Sequence, residues 1–536
     1  MFIVAAALCV LSYFMKKRGV RPLKKRPYVI FLVIAVVLAV AVRVAAFGSV
    51  PGGVNQDGAM AAVDAKALAD YGTDRLGMVR PVHFTAWGFG QMSVLMSYCM
   101  VPFIKLFGLS VVTMRLPILL ASLLGLAFLY LFCKDVFNRD LALIVLFFAA
   151  INPWHIVQSR WALDCNMFPH VLIAALYFLN HVICGKGKKW NIYISMPLFA
   201  LSMYCYGISI YTVPLFLFFA CLCLIAARKI NVKEALICVA LYLLVAWPFI
   251  AMIFINTFDL KPIESSLFTV PYFAETIRKG DILFFSEDFF PQLWQNILSL
   301  LRVLFQVGDD YLCNVVPGFS TMYVFSVPFI IVGNIWLLGN WRRSTGYFLL
   351  LLLFITGIFS GLVTNNVNVN RINIIFYPLI IMAGIGIFRV FRNVKFSDMA
   401  VQAMFAAGFA LFCCLYFTSY AKDISSLFME DFGRAVSSVK PDEAEEIFIT
   451  PDSQDVNRWY VSEVLTLFYH DVDAEFYQSS AFNEKYHFIN ANPAVIHDYP
   501  DAAYVIRADK ADLFPDEYEI REYGRFATAI KKASGS

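Results

Sequence analysis

Residues 16–47 read KKRGVRPLKKRPYVIFLVIAVVLAVAVRVAAF, a basic cluster followed by an apolar run. The apolar part, residues 28–47, has about the 20 residues that a helix needs to cross the hydrocarbon core of a bilayer. Basic residues beside a membrane span favour the cytoplasmic side. This stretch therefore predicts a transmembrane helix that begins in the cytoplasm and ends outside.

The same pattern continues along the chain to about residue 420. Further apolar spans lie at residues 2–15, 111–132, 141–153, 166–184, 190–206, 208–226, 234–255, 321–339, 346–363, 372–390 and 399–420. Every second connection is basic, which places those connections in the cytoplasm. Two long connections, 48–110 and 256–320, then lie outside. We expect an α-helical polytopic membrane protein with about 11–12 transmembrane helices, the first of them an anchor rather than a signal peptide.

The composition supports this class of protein. Of the 536 residues, 60% are hydrophobic and 15% charged, against roughly 45–50% apolar and 25% charged residues in soluble proteins. The mean hydropathy is +0.68. A net charge of +4 on so long a chain forms no basic patch, which argues against nucleic-acid binding. The 12 cysteines include no CxxC pair, so a zinc or disulfide framework is not indicated.

Charge divides the chain into parts. Residues 421–536 hold 22 acidic and 11 basic side chains, whereas the preceding residues hold 17 and 32. We expect an N-terminal anchor and basic cytoplasmic segment at 1–27, a transmembrane domain at 28–420, and an acidic extracytoplasmic domain at 421–536. Short apolar runs alternate with helix-like stretches in the last part, which predicts a small α/β domain.

The 48–110 connection carries an unusual density of ionisable residues for this chain. Asp57 follows a glycine-rich turn and precedes a run of small residues, so it either caps a helix or serves as a general base whose basicity is raised by partial desolvation. Asp64 lies seven residues further on and shares a helical face with it. Asp74, Arg80 and His83 follow. Each alone is typical of a solvated surface, but together they indicate a site.

Two later turns complete the set of candidates. In NPWHIVQSRWALDCN, residues 152–166, Arg160 and Asp164 either form a helical salt bridge or belong to a site, since polar groups at this depth are often functional. In TNNVNVNRINIIFYP, residues 364–378, Arg371 either snorkels to the interface or binds a ligand. The planar fork of arginine suits phosphate.

Three stretches carry a family resemblance: NQDGAMAAVDAKALADYGTDRLG (55–77), PFIKLFGLSVVTMRLPILLASLLG (102–125) and NPWHIVQSRWALD (152–164). In this order they resemble the polytopic GT-C glycosyltransferases of the protein-mannosyltransferase and aminoarabinose-transferase type, often labelled family 39. The resemblance covers residues 28–260 and continues more loosely to about 390. It implies the GT-C fold and transfer of a sugar from a polyprenyl-phosphate carrier to an acceptor on the outer face of the membrane.

The resemblance also implies roles for residues. Asp57 matches the first acid of the family's Asp-Glu pair and becomes the catalytic base, while Gly58 stands where the second acid would be. Arg160 and Asp164 match the arginine and the acid of the SR turn, and Arg371 matches a basic group near the carrier phosphate.

The predicted mechanism combines both arguments. Asp57 deprotonates the acceptor hydroxyl for an inverting transfer, and Arg80, Arg160 and Arg371 bind the carrier phosphate. A further group contacts substrate and acceptor: Asp64, Asp74, His83 and Asp164. Arginine makes a cofactor unnecessary, although a divalent metal (Mg²⁺ or Mn²⁺) stays open. The expected partners are the lipid-linked sugar donor, the bilayer, and a glycan, lipid or protein acceptor, in a bacterial plasma membrane as part of cell-envelope glycosylation.

Three alternatives compete with this prediction. A lipid-linked oligosaccharide ligase or polymerase would use the same carrier. A non-enzymatic flippase or transporter would carry ionisable residues inside its spans, where this sequence has few. A membrane anchor for the acidic tail would leave the charged first connection unexplained.

Overall fold

The computed structural model describes residues 1–15, 22–87, 90–273, 283, 288–305, 311–394, 397–451 and 459–532. Part of the predicted basic cluster, residues 16–21, lies outside the described residues. The chain divides into two compact units. The helical unit comprises residues 1–47, 118–254 and 275–420, and the mixed unit comprises residues 48–117, 255–274 and 421–536. The predicted three-part division into domains stays a prediction.

All twelve predicted spans coincide with helices. In chain order these are α1 (Phe2–Phe14), α2 (Lys25–Val44), α5 (Val111–Val136), α6 (Arg139–Ala150), α8 (Asp164–Ile183), α9 (Asn191–Ser202), α10 (Ser209–Ala226), α11 (Val232–Thr257), α13 (Val327–Asn340), α14 (Thr345–Leu362), α15 (Phe376–Asn393) and α16 (Ser397–Tyr416). The remaining helices up to residue 438 are α3 (Gln56–Asp70), α4 (Leu95–Phe107), α7 (Pro153–Gln158), α12 (Phe289–Phe305), α17 (Ser419–Leu427) and α18 (Glu430–Ser438).

Within the described ranges, nine helical segments are long and apolar enough to cross a membrane. The other three predicted spans form the helices α1, α6 and α9, which have 13, 12 and 12 residues and fall short of the usual length. The polytopic membrane architecture is therefore confirmed.

Glycine allows two helices of the helical unit to pack backbone to backbone. A Cβ atom at Gly333 on α13 would lie 1.8 Å from the Met382 carbonyl oxygen on α15. A Cβ atom at Gly386 on α15 would lie 2.0 Å from the Phe329 carbonyl oxygen on α13. Such close approach needs small residues, as is usual between membrane helices.

The mixed unit contains the predicted α/β region. Its further helices are α19 (Trp459–Tyr469), α20 (Ala474–Gln478), α21 (Ser480–Lys485) and α22 (Pro493–Asp498). Its strands are β1 (Phe84–Ala86), β2 (Gly90–Met92), β3 (Ile263–Glu264), β4 (Thr269–Val270), β5 (Ile447–Ile449), β6 (Tyr486–His487), β7 (Ala503–Arg507), β8 (Tyr518–Tyr523) and β9 (Phe526–Lys531). Strands β1 and β2 form one antiparallel hairpin and β3 and β4 another.

A five-stranded sheet organises residues 447–531, in the order β6-β5-β7-β9-β8. Strand β5 pairs in parallel with β6 and β7, whereas β9 pairs antiparallel with β7 and β8. A two-residue loop joins β8 to β9, and its first residue, Gly524, has φ +82°, as a tight hairpin with glycine at that position requires. Phe448, Tyr504 and Tyr518 form part of the core on one face of the sheet.

Candidate functional site

Helix α3 presents the candidate base at its first turn. The Asn55 side-chain oxygen accepts the Asp57 backbone N–H at 3.0 Å, so Asn55 is the N-cap of α3. The alternative in which Asp57 caps the helix is therefore wrong. Asp57 is half-buried, and a carboxylate in the first turn is stabilised by the positive end of the helix dipole.

Asp64 lies two turns further along α3, on the same helical face as Asp57, and is fully buried. Its Oδ2 atom lies 2.5 Å from Arg75 Nη1, and its Oδ1 atom accepts the Arg75 backbone N–H at 3.1 Å. Arg75 also donates to the Thr85 carbonyl oxygen at 2.8 Å. The pair ties α3 to the turn that follows it and to β1.

Asp74 is buried in that turn, where its Oδ1 atom accepts backbone N–H groups from Leu76 and Met78 at 3.0 and 2.8 Å. Burial, and next the neighbouring Asp64 carboxylate, raises the pKa of Asp74 to about 7. This side chain therefore titrates near neutral pH.

The other two candidates of this connection differ in accessibility. Arg80 is exposed and adopts a positive φ of 37°. His83 is 2% exposed and packs edge-on against Phe273, with ring centroids 6.4 Å apart. Within the 48–110 connection, Arg80 is thus the predicted phosphate ligand that solvent reaches.

Arg160 is fully buried in the helical unit and bonds to backbone carbonyls. Its Nη1 atom donates to the oxygens of Val42 and Arg43, both at 2.8 Å, and its Nη2 atom donates to those of Ala45 and Ala46 at 2.6 and 3.3 Å. Its Nε atom donates to the Tyr416 hydroxyl at 3.1 Å.

These bonds engage all three nitrogen atoms of the guanidinium. Arg160 therefore caps the C-terminal end of α2, where carbonyls lack helical partners. Its predicted role as a phosphate ligand stays a prediction, and it would require Arg160 to exchange these bonds.

The remaining candidates also lie in the helical unit. Asp164 is buried in the first turn of α8, where its Oδ1 atom accepts the Cys165 N–H at 2.7 Å. Arg371 is half-buried, and its Nη1 atom donates to the Asn366 carbonyl oxygen at 3.0 Å. The Asn368 side chain accepts the Arg371 backbone N–H at 3.0 Å, so the asparagine-rich turn orients this arginine.

Sequence reasoning missed a buried polar chain in the helical unit. Arg43 Nη2 lies 2.8 Å from His155 Nδ1, His155 Nε2 lies 3.1 Å from the Tyr377 hydroxyl, and that hydroxyl lies 2.8 Å from His170 Nδ1. Because arginine only donates, His155 Nδ1 is the acceptor. The sequence did contain a signal for this polar chain, because Arg43 lies inside the apolar run 28–47 and a charged residue is costly in a membrane.

A second missed arginine braces the loop before Asp57. Arg115 is 1% exposed and donates to the carbonyl oxygens of Pro51 and Gly53, both at 2.8 Å. It lies in the RLP part of the quoted sequence, which was noted only for its resemblance. Among the residues that the structure describes, no group of three or more His, Cys, Asp or Glu side chains could hold a metal ion.

Comparison with known proteins identifies the fold. Residues 92–252 match the family model described as dolichyl-phosphate-mannose-protein mannosyltransferase. The structure of ArnT from Cupriavidus metallidurans bound to undecaprenyl phosphate superposes with a TM-score of 0.57 at 13% identity, covering 96% of this chain and 99% of that one. The apo state of the same protein gives 0.53 at 13% identity, with 94% and 97% covered.

An oligosaccharyltransferase from Archaeoglobus fulgidus, in complex with Zn and sulfate, gives a TM-score of 0.50 at 14% identity, covering 90% of this chain and 68% of that one. No curated protein sequence gives a significant match. The chain therefore has the GT-C fold and is similar to the mannosyltransferase family, which confirms the predicted resemblance.

Proposed function

We propose that this multi-pass membrane protein is a glycosyltransferase that moves a sugar from a polyprenyl-phosphate carrier to an acceptor. The GT-C fold and the mannosyltransferase match over residues 92–252 support this reaction class. Neither favours the ligase or flippase alternatives. Asp57 is proposed as the base because of its position. It is half-buried, and the Asn55 cap fixes its backbone at the first turn of α3.

In the proposed reaction, Asp57 accepts the proton of the acceptor hydroxyl. The acceptor oxygen then forms a bond to the anomeric carbon of the sugar while the bond from that carbon to the phosphate oxygen breaks. Attack opposite the leaving phosphate inverts the anomeric configuration. General-base assistance of this kind contributes about 10²–10⁴-fold to a rate.

Arginine would stabilise the leaving phosphate. Arg80 is exposed and Arg371 is half-buried and oriented by its turn, so these two are the first candidates. Fixed positive charge near the phosphate lowers the barrier without a metal. Chelation with EDTA should therefore leave turnover unchanged, and a loss that Mg²⁺ or Mn²⁺ restores would establish the metal-dependent alternative.

Asp64 and Asp74 would act indirectly, through the structure of the mixed unit, because both are buried and bonded to the protein. We further propose a bacterial plasma membrane as the location, with the mixed unit on the extracytoplasmic side. Protease accessibility of residues 421–536 in oriented vesicles tests that orientation.

The decisive experiment measures release of polyprenyl phosphate and transfer of labelled sugar by purified full-length protein. Asp57→Asn should lower kcat by about 10²–10⁴-fold while leaving the unfolding temperature unchanged. Asp70→Asn, at the exposed far end of the same helix, is the matched control and should retain full activity. Wild-type turnover by Asp57→Asn would exclude the base, and carrier movement without cleavage would exclude the transferase.

A further inference from the structure

A cleft lies in the mixed unit, and its lining includes none of the candidate carboxylates described above. Its volume is about 540 Å³, within the usual range for small-ligand sites, roughly 300–1,000 Å³. Most of its lining comes from the loop 48–53, from helix α18 and from the side chains of Tyr469 and Tyr523.

Helix α18 lines the cleft with polar side chains. Glu430, Arg434 and Ser437 recur at i, i+4 and i+7, so they share one helical face, and all three are exposed. The opposite face, with Phe432 and Val436, is buried. One acid, one base and hydroxyl groups thus converge on a single surface.

Two tyrosines supply aromatic surface. Tyr469 and Tyr523 are half-buried, and the Arg434 guanidinium lies 5.9 Å from the centroid of the Tyr523 ring. A Cβ atom at Gly433 would lie 2.2 Å from the Tyr469 ring. Glycine at this position therefore lets the ring lie directly on α18.

The loop 48–53 lines one side of the cleft and is held in place by hydrogen bonds. A Cβ atom at Gly52 would lie 2.3 Å from a Glu430 carboxylate oxygen, and Gly53 has φ +70° with its Cβ direction blocked by the Phe428 carbonyl. The Gly52 N–H donates to the Ser425 hydroxyl at 3.1 Å, and Arg115 holds the carbonyls of Pro51 and Gly53. The loop 48–53 is therefore held in place by Ser425 and by Arg115.

We infer that this cleft binds the acceptor, and that the acceptor is a neutral glycan; the inference rests on the proposed glycosyl transfer. Tyrosine rings offer an apolar face with a hydroxyl, and Glu, Arg and Ser together donate to and accept from sugar hydroxyls. The cleft balances one negative against one positive side chain, while residues 421–536 carry twice as many acids as bases. This field disfavours a polyanionic ligand.

The cleft is also within reach of the candidate base. Gly53 and Asp57 are four residues apart, so their Cα atoms are at most about 14 Å apart. A glycan held in the cleft by one sugar can therefore present a neighbouring hydroxyl to Asp57.

Saturation-transfer NMR on the full-length protein in detergent micelles tests this inference, with mannopentaose and maltoheptaose as neutral probes and a heparin pentasaccharide as the anionic one. Neutral probes should show saturation transfer, and Arg434→Ala or Tyr523→Ala should weaken their binding about tenfold, a loss of about 1.4 kcal/mol. Tyr523→Phe, which keeps the ring, should bind nearly as wild type. Lys440→Ala and Glu443→Gln, exposed residues outside the lining, are the controls.

Equal binding by the cleft variants and the wild type would overturn the inference, as would binding of the anionic probe alone or of no neutral probe. Hydrolysis of the sugar-loaded carrier, measured without acceptor, distinguishes failure of this inference from failure of the proposed function. The controls Lys440→Ala and Glu443→Gln should hydrolyse loaded carrier at the wild-type rate, whereas Asp57→Asn should not. If the wild type itself releases no polyprenyl phosphate, the proposed function fails whatever the glycan probes show.

Discussion

Arg75 and Asp64 form an ion pair inside the mixed unit, with Nη1 2.5 Å from Oδ2 and both side chains nearly inaccessible to solvent. Such a pair is costly to break from one side, because the remaining charge stays buried without compensation. The pair explains why an aspartate lies on the buried face of α3, among small and apolar residues. Because Asp64 is buried in this ion pair, any effect of Asp64 on the acceptor would be indirect.

Asp64→Asn should therefore destabilise the protein by about 3–5 kcal/mol, since Arg75 would keep only weaker neutral partners. The measurement is thermal or denaturant unfolding of the full-length protein in one detergent. Glu443→Gln, which breaks the exposed Lys440–Glu443 pair, should leave the free energy of unfolding nearly unchanged. Similar effects of the two variants would refute a structural role for the Asp64 carboxylate.

Asp74 gives the fold a pH dependence. Its pKa is raised to about 7 in the folded protein, whereas an unfolded aspartate titrates near about 3.9. The folded state therefore holds a proton that the unfolded state has lost, and stability falls as the pH rises from about 4 to 7, by up to about 1.4 kcal/mol per pH unit.

Asp74→Asn should reduce this slope, because the amide oxygen can still accept the Leu76 and Met78 N–H groups and carries no charge at any pH. Unfolding temperatures at pH 5 and pH 8 provide the measurement. The wild type should lose more stability than the variant across this interval, and parallel curves would contradict the assignment.

Arg160→Lys tests the cap on α2. Lysine has three donors where arginine has five, so at least two of the five acceptors lose their partner. Each unsatisfied buried group costs about 1–3 kcal/mol. The unfolding temperature should drop clearly, while Arg371→Lys, at a half-buried site, should leave it nearly unchanged. If the unfolding temperature of Arg160→Lys equals that of the wild type, the cap is not structurally important and Arg160 could bind the carrier phosphate.

Arg371→Gln tests the phosphate assignment. Removal of one positive charge near the carrier should raise KM for the lipid-linked donor about tenfold or more, with no change in KM for the acceptor. Steady-state kinetics at varied donor concentration give the answer. If Arg80→Gln shows this effect and Arg371→Gln does not, the phosphate binds on the side of Arg80.

The extent of the helices was predictable because it depends on local apolar length. Residues 2–15 and 399–420 became α1 and α16 almost at the predicted limits. The cap of α3 was missed because Asn55 and Asp57 both suit that position, and only the backbone shows that Asn55 occupies it.

The partners of the charged residues were not predictable. Arg160 caps residues 42–46, more than a hundred positions away, and no local pattern encodes that contact. Asp64 and Arg75 are separated by a turn whose path the composition does not fix. The candidate residues could be found from their rarity, whereas their roles depend on contacts that arise only on folding.

The three-segment composition of the mixed unit has a consequence for biosynthesis. Helix α3 packs on α19, yet α19 is translated only after all nine candidate membrane helices that the described residues contain. The face of α3 that packs on α19 therefore stays uncovered at the membrane until residues 459–469 leave the ribosome, although α4 can already pack on another part of α3. A chain that terminates before residue 459 should insert its helices normally and still be degraded, because that face of α3 is never covered.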